Sequence, residues 1–148
     1  MLVRLALLSD APDVVEMAAE NAHATRPDVP FDHDKALGTF FQYLASGNPT
    51  IYVVEHDRQS IGFLMTRLMD YSFNYGQFLG QEVLYVRPGK RGTRAAAALM
   101  KHLIQEAERL GASEIVGGND NSFNSERTAR FFEHFGFERV GFSLRRPT

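Results

Sequence analysis

The fold is decided by the stretch that joins an apolar, strand-like segment to a strongly helical one, Arg87-Pro88-Gly89-Lys90-Arg91-Gly92-Thr93-Arg94-Ala95-Ala96-Ala97. The first turn of a helix has backbone N–H groups without internal partners and a partial positive charge, so it favours an anion. Small side chains at Ala95 and Ala96 leave the backbone accessible, and Lys90, Arg91 and Arg94 add positive charge. The stretch therefore predicts a phosphate-binding turn. The alternative is a basic loop that leads into an ordinary surface helix.

The segments on both sides of this turn predict alternating strands and helices. Upstream, residues 50–54 and 61–65 are β-rich on either side of a turn and predict a hairpin, and residues 78–86 predict the next strand. Downstream, apolar residues at helical spacing predict a helix over 93–110 that ends at Gly111. The remaining downstream elements are expected to be a short strand at 114–116, a helix from about Asn124 or Ser125 to His134, and a closing strand at 137–144.

The N-terminal third predicts one strand followed by two helices. Residues 2–8 are expected to form the first strand rather than the apolar core of a signal peptide. Asp10 and Asp32 can each cap a helix. The resulting order, β-α-α-β-β-β-α-β-α-β, mixes hairpins with crossover helices and predicts an α/β fold, of the α+β type, with a central mixed sheet flanked by helices.

Composition excludes several classes of function. The 148 residues suit a single domain spanning 1–148, and no apolar run is long enough to cross a bilayer, so no membrane partner is expected. A net charge of −2 gives no global footprint for nucleic acid. The absence of cysteine excludes disulfides, thiolate metal sites and a cysteine nucleophile, and a cytoplasmic location is expected.

A second motif follows the turn at the C-terminal side, Thr128-Ala129-Arg130-Phe131-Phe132-Glu133-His134-Phe135-Gly136-Phe137. With both motifs in this order, the chain resembles the GNAT superfamily of acetyl-CoA-dependent N-acetyltransferases, and residues 127–140 are similar to those of short, stand-alone bacterial or phage members. The family's phosphate signature is Gln or Arg, two residues, Gly, one residue, then Gly or Ala. Arg91 and Ala96 match its ends, but Arg94 replaces the usual Gly.

The resemblance implies a site for acetyl-CoA as the acyl donor. Its pyrophosphate would be held by the basic turn, at Lys90, Arg91, Gly92, Thr93, Arg94, Ala95 and Ala96. The backbone of Leu84, Tyr85 and Val86 would pair with the pantetheine amides. Polar residues before the last helix, Asn121, Ser122 and above all Asn124, would contact the cofactor or an ordered water, although Asn124 can also be read as a helix cap.

Direct transfer of the acetyl group needs a base that takes a proton from the amine. An acid can also supply a proton to the departing thiolate. Glu82, at the start of the strand motif, is the predicted base, with an ordinary solvent-exposed carboxylate as the alternative. Many family members use a tyrosine as the acid, but this chain has Phe132 there, which we expect to lie beside the cofactor. Either the thiolate leaves without an acid, or another donor serves, among Tyr85, Tyr71, Tyr75 and His134.

The acceptor pocket is expected to be formed by the loop between the first two helices and by the loop after the third strand. Its candidate residues are His23, Arg26, Asp28, Phe31, Asp32, His33, Asp70, Tyr71, Phe73 and Tyr75. The acidic members would suit a cationic amine, although they are also typical surface residues. His33 and its acidic neighbours could suggest metal ligation, but adjacent carboxylates cannot all converge, so no metal site is expected.

These observations predict an N-acetyltransferase that acts on a primary amine of a small molecule or a protein. One alternative is a CoA-binding module with little catalysis, suggested by Phe132 and Arg94. Another is an interaction domain that uses Arg87, Lys90, Arg91 and Arg94 as a basic patch. No nucleic-acid partner is expected, and aromatic residues near the chain end could support a homodimer.

Overall fold

The described residues, 1–119 and 122–148, form helices and strands in the order β-α-α-β-β-β-α-β-α in this computed structural model. The strands are β1 Leu2–Leu5, β2 Thr50–His56, β3 Gln59–Asp70, β4 Gln77–Val86 and β5 Ile115–Val116. The α-helices are α1 Ala11–Thr25, α2 His33–Ser46, α3 Ala95–Leu110 and α4 Ser125–His134. No helix among these residues has both the length and the apolar character that crossing a bilayer requires.

The strands form a single five-stranded sheet in the order β1-β2-β3-β4-β5. The first three neighbouring pairs are antiparallel and the β4–β5 pair is parallel, which confirms the predicted mixed sheet. The β2–β3 hairpin turns at Asp57 and Arg58, which have φ angles of 51° and 63°. Two consecutive positive φ values are typical of a tight turn that matches the twist of the flanking strands.

Each face of the sheet is covered by its own helices and its own core. On one face α3 and α4 bury a cluster that includes Leu64, Leu79, Leu99 and Phe132. On the other face α1 and α2 bury a second cluster that includes Phe40 and Tyr85, together with residues of β2 and β3. Strand β4 contributes to both clusters, because successive side chains of a strand point to opposite faces.

The predicted closing strand over 137–144 is not formed, and this part of the prediction was wrong. Residues 137–148 have no strand or helix assignment, and the side chains of Val140, Phe142 and Leu144 are 92–98% exposed. Alternating apolar residues predict a strand only where a neighbouring strand can pair with them. The adjacent strand, β5, has two residues and offers almost no ladder to pair with.

The helix after the basic turn begins at Ala95, two residues later than predicted. Gly92 has a φ angle of 88°, which is outside the helical region and suits a glycine. The Thr93 hydroxyl donates to the Lys90 carbonyl at 2.6 Å and accepts from the Ala95 amide at 3.3 Å. These bonds close a compact turn before the helix and leave Arg94 as its first flanking residue.

The two aspartates predicted as caps behave differently. Asp32 accepts a hydrogen bond from the Lys35 amide and caps α2 as predicted. Asp10 precedes α1 but makes no capping bond to it, because its carboxylate accepts instead from Arg4 and from the Leu7 amide, each at 2.7 Å. The Arg4 guanidinium is the largest cause that holds the pKa of this buried carboxyl below its usual value.

Candidate active site

The main feature of the site is a free edge on strand β4. Strand β5 pairs with β4 only at Leu79 and Gly80, opposite Ile115 and Val116. From residue 81 to residue 86 the outer edge of β4 therefore has no strand partner among the described residues. An unpaired strand edge presents backbone donors and acceptors that an extended ligand can use.

The direction of the β4 backbone determines which groups face this free edge. The Arg87 amide donates to the Ile61 carbonyl at 2.9 Å, so Gly62 and Val86 form a pair that exchanges no hydrogen bonds. Because such pairs alternate along antiparallel strands, the polar groups of Leu84 and Val86 point outward and those of Tyr85 point to β3. Of the three residues predicted to pair with pantetheine, Leu84 and Val86 have the suitable orientation.

The basic turn lies directly at the end of this edge. Arg91 points back along the strand, where its Nε donates to the Val86 carbonyl at 3.0 Å. Its guanidinium carbon is also 5.5 Å from the centre of the Tyr85 ring, within the range of a cation–π contact. Arg91 therefore joins the turn to the strand and occupies the outward acceptor of Val86.

The N-terminus of α3 completes the basic end of the site. Ala95 is fully buried and Ala96 is half-buried, whereas Gly92, Thr93 and Arg94 are exposed. The first amides of the helix have no backbone partner inside the helix, and the cationic residues Lys90 and Arg94 both precede them in the chain. Such an arrangement is suited to an anion, and phosphate binding at this turn stays a prediction.

Glu82 occupies a β-bulge in β4. In the register with β3, Met65 is opposite Val83 and Thr66 is opposite Gln81, so Glu82 has no partner residue. A bulge changes the direction of one side chain, and this one sends the Glu82 carboxylate to Arg67, whose Nε donates to Oε1 at 2.6 Å. The predicted base is therefore half of an ion pair, and the carboxylate raises the pKa of Arg67 above its ordinary value.

The Tyr85 side chain points to α1, away from the free edge. Its hydroxyl donates to a carboxylate oxygen of Glu20 at 2.9 Å, and burial followed by this bond raises the pKa of Tyr85 to about 12. Arg87 joins the same group of charges, donating to Glu16 at 2.5 Å and to Glu20 at 2.7 Å. Together these contacts fix α1 against the end of β4.

The segment that follows β5 contacts β4 at Gln81, where the free edge of β4 begins. A Cβ atom at Gly117 would come within 2.9 Å of both Gln81 Oε1 and Phe132 Cε2, so only a glycine fits there without a shift. The Gly118 amide donates to Gln81 Oε1 at 3.0 Å and ties this segment to β4. Phe132 is buried beside this contact. Sequence reasoning missed Gln81 and Gly117, although the pair Gly117-Gly118 directly after a strand was a usable signal.

The loop before α4 contains the remaining predicted contacts. Asn124 has a left-handed conformation with a φ angle of 51°, and its side chain makes no capping bond, although its carbonyl accepts from the Thr128 amide. Asn119, which the sequence did not single out, organises the loop by donating to the Phe123 carbonyl at 2.6 Å and accepting from the Ser125 hydroxyl at 2.8 Å. The predicted candidate Asn121 lies outside the described residues.

The other candidate proton donors lie near the loop between β3 and β4 or at the end of α4. The Tyr71 hydroxyl contacts Ser113 and donates to Glu114 at 2.5 Å, at the far end of β3 and β4. Tyr75 is fully exposed in the loop between these strands. His134 ends α4 and has its ring 5.4 Å from that of Phe135.

A cavity of about 490 Å³ opens on the α1–α2 side of the sheet. Val83 forms part of its floor, and Tyr43 of α2 forms part of its wall. The predicted acceptor residues divide into two groups. Those that line this cavity are Arg26, Phe31 and Asp32, and those that do not are His23, Asp28, His33, Asp70, Tyr71, Phe73 and Tyr75.

Comparison with known proteins identifies the family of this chain. A family model described as an acetyltransferase (GNAT) domain matches residues 47–139. An uncharacterized N-acetyltransferase of Mycobacterium bovis is 30% identical over 111 residues, which are 74% of this chain and 66% of that protein. An acetyltransferase of Trypanosoma brucei matches with a TM-score of 0.79 at 17% identity, covering 99% of both chains. A predicted acetyltransferase of Clostridium acetobutylicum, crystallised with acetyl-CoA, has a TM-score of 0.78 at 17% identity, covering 99% of this chain and 95% of the other.

The chain therefore belongs to the GNAT superfamily of acetyltransferases. The two solved structures, at 17% identity, bear on the fold alone. The chain spans 66% of the length of the mycobacterial relative. The free edge of β4, the basic turn and the N-terminus of α3 lie within the residues that the family model matches.

Proposed function

We propose that the protein is an N-acetyltransferase that transfers an acetyl group from acetyl-CoA directly to a primary amine. The observation that carries this proposal is the continuity of the site. One strand, β4, has a bulged carboxylate at Glu82, a free backbone edge at Leu84 and Val86, and a basic helix entrance immediately after it. These are the parts that an extended, polyanionic acyl donor and an amine acceptor require.

The residues present fit acetyl-CoA. The outward groups of Leu84 and the Val86 amide are suited to the pantetheine amides. The turn from Lys90 to Ala96, with Arg94 exposed beside the first amides of α3, is suited to the pyrophosphate. Phe132 of α4 and Asn124, directly before α4, are proposed to border the same ligand. When bound, acetyl-CoA supplies a thioester, an activated acyl group that an uncharged amine can attack.

In this proposal Glu82 receives the proton of the acceptor ammonium, directly or through a water. Arg67 holds the Glu82 carboxylate through one oxygen, Oε1, and leaves the other oxygen for the amine or the water. Arg67 also lies over the Tyr43 ring, with its guanidinium carbon 5.9 Å from the ring centre. The carboxylate is therefore fixed in orientation from the side of α2, and Arg67 is proposed as its positioning residue.

We propose that the thiolate leaves without a protein acid. Phe132 has no proton to give, and the Tyr85 hydroxyl is already donated to Glu20. A phenol with a pKa of about 12 is a poor donor to a thiolate, whose conjugate acid has a pKa of ~8.5 in a simple thiol. The role left for Tyr85 is to fix α1 against β4.

The first experiment is thermal unfolding with and without acetyl-CoA. A ligand at ~100 times its dissociation constant stabilises the folded protein by about 2.7 kcal/mol, which corresponds to several degrees at this chain length. Fragments of acetyl-CoA that lack its phosphate groups serve as controls, because they cannot use the proposed phosphate site at the basic turn. An unchanged melting temperature at millimolar acetyl-CoA would contradict the proposed donor site.

A second candidate function is a CoA-binding module with little catalysis. It is favoured by the engagement of both predicted catalytic side chains, Glu82 with Arg67 and Tyr85 with Glu20. The two functions differ in one measurement. A catalyst releases free CoA faster when an accepted amine is added, whereas a binding module shows the acetyl-CoA melting shift and no amine-dependent release.

A further inference from the structure

We propose that the acceptor is a primary amine attached to an apolar body about as large as one or two aromatic rings, and that this body occupies the cavity between α1, α2 and the sheet. The inference rests on the proposed function, since it names the class of amine that the same site would acetylate. It excludes polycationic amines such as polyamines and aminoglycosides, whereas the acidic residues of the sequence were compatible with any cationic amine.

The volume and lining of the cavity support this class of acceptor. About 490 Å³ lies within the ~300–1,000 Å³ range typical of small-molecule sites. The lining is mainly aliphatic and aromatic, and includes Val14, Ala18, Phe40, Phe63, Met65 and Val83. Such a surface stabilises a ligand by removing apolar area from water and offers few partners to a polar chain.

The charges that line the cavity do not suit a polycation. Two cationic residues, Arg26 and Lys35, line it together with one carboxylate, that of Asp32, and Arg26 is paired with Asp28 at 3.0 Å. The Asp32 carboxylate already accepts from the Lys35 amide at 3.0 Å, as the cap of α2. A polyamine would therefore meet apolar walls, the Lys35 charge and one carboxylate that already caps a helix, whereas an amine with a single charge needs only one hydrogen-bond acceptor.

The carboxylate that we assign to this role is Glu82, which does not itself line the cavity. Glu82 is the chain neighbour of Val83, which forms part of the floor. The carboxylate is also connected to the wall, because Arg67 donates to it and lies over the ring of Tyr43. An amine whose apolar body fills the cavity can thus extend its nitrogen to the one carboxylate that the proposed chemistry uses.

The test measures released CoA with a thiol reagent for matched amines. The chain contains no cysteine, so the reagent reports only the product. We expect 2-phenylethylamine and tryptamine to be acetylated with a kcat/KM at least tenfold higher than spermidine or kanamycin. Within a series of n-alkylamines, kcat/KM should rise about fourfold per methylene until the cavity is filled. Equal or higher kcat/KM for spermidine would overturn the inference.

Two pairs of variants locate the specificity. Ala22→Leu on α1 places bulk into the cavity, and Ala24→Leu makes the same change on the exposed face of the same helix. We expect Ala22→Leu to raise the KM for 2-phenylethylamine at least tenfold with the KM for acetyl-CoA unchanged, and Ala24→Leu to change neither. If Ala22→Leu does not fold, Ala36→Leu and its control Ala45→Leu on α2 make the same comparison. Equal effects of a cavity variant and its control would overturn the inference.

A binding measurement separates this inference from the proposed function. The melting temperature is measured with 2-phenylethylamine or spermidine alone, with no acetyl-CoA. A shift with 2-phenylethylamine that Ala22→Leu abolishes supports the apolar acceptor site, even if acetyl-CoA does not bind and the proposed function fails. A shift with acetyl-CoA but none with 2-phenylethylamine, together with no acetylation of it, contradicts the apolar acceptor and leaves the donor site standing.

Discussion

Arg67 and Glu82 are joined by a hydrogen bond of 2.6 Å at the one residue of β4 that has no partner in the register with β3. The bulge and the ion pair are parts of the same feature. The additional residue turns the carboxylate to the α2 side of the sheet, and the guanidinium fixes it there. The proposed base is therefore oriented by the neighbouring strand as well as by its own.

Replacing Glu82 by Gln is expected to lower kcat/KM for the amine by about 10²-fold, because the amide cannot accept the ammonium proton. The acid limb of the pH–rate profile should disappear with it. The matched control is Glu138→Gln, an exposed carboxylate in the C-terminal segment. A variant with the pH profile of the wild type would remove Glu82 from the mechanism.

Tyr85→Phe is expected to leave kcat within about threefold of the wild type, because the hydroxyl donates to Glu20 rather than to a ligand. Since the folded pKa of about 12 is above the ordinary value of ~10, Tyr85 stabilises the fold fully below pH ~10 and loses this contribution as the pH rises through about 12. The measurement is urea unfolding of wild type and variant across this range, where the difference in unfolding free energy should shrink with rising pH. Loss of the basic limb of the rate profile in Tyr85→Phe would instead make Tyr85 the acid.

Arg94→Ala is expected to weaken acetyl-CoA by about fivefold, equivalent to ~1 kcal/mol, because it removes one charge beside the helix N-terminus. S-acetylpantetheine lacks the pyrophosphate, so its KM should not change. Lys101→Ala, on the exposed face of the same helix, is the control for loss of a positive charge. An equal loss of affinity for both donors would show that Arg94 does not act on phosphate.

Gly117→Ala is expected to destabilise the fold by about 1–3 kcal/mol, since the new methyl group would overlap Gln81 and Phe132 at 2.9 Å. Gly38→Ala is the opposite case, because its Cβ would meet nothing within 4 Å in the interior of α2. It should stabilise the protein by about 0.5–1 kcal/mol. Chemical denaturation of both variants tests the pair, and a neutral Gly117→Ala would show that the segment after β5 moves easily.

The parts of the fold that depend on local signals could be predicted from the sequence. Helix α3 follows from the spacing of its apolar residues and from Gly111, which ends it with a left-handed conformation. The β2–β3 hairpin follows from two β-rich segments around a short polar turn. In each case the residues that determine the structure lie within a few positions of one another.

The remaining features depend on partners that are distant in the sequence. The chain from 137 to 144 has the alternation of a strand, but the two residues of β5 offer no ladder for it. The bulge at Glu82 needs the register with β3, and the partners of Tyr85 and Glu82 lie on α1 and β3. The acceptor residues were predicted from polar loops, whereas the cavity is lined mainly by apolar side chains of the helices and the sheet.

Strand β4 separates the two cores of the protein and has side chains in both of them. Val83 and Tyr85 pack into the α1–α2 core, where Val83 also lines the cavity, while Leu84 and Val86 contribute to the opposite core and direct their outward backbone groups to the free edge. A ligand on either side that displaces this strand alters the space available on the other side. Because coupling between two binding sites is reciprocal, the affinity for the acyl donor and the affinity for the amine should then change each other by the same factor.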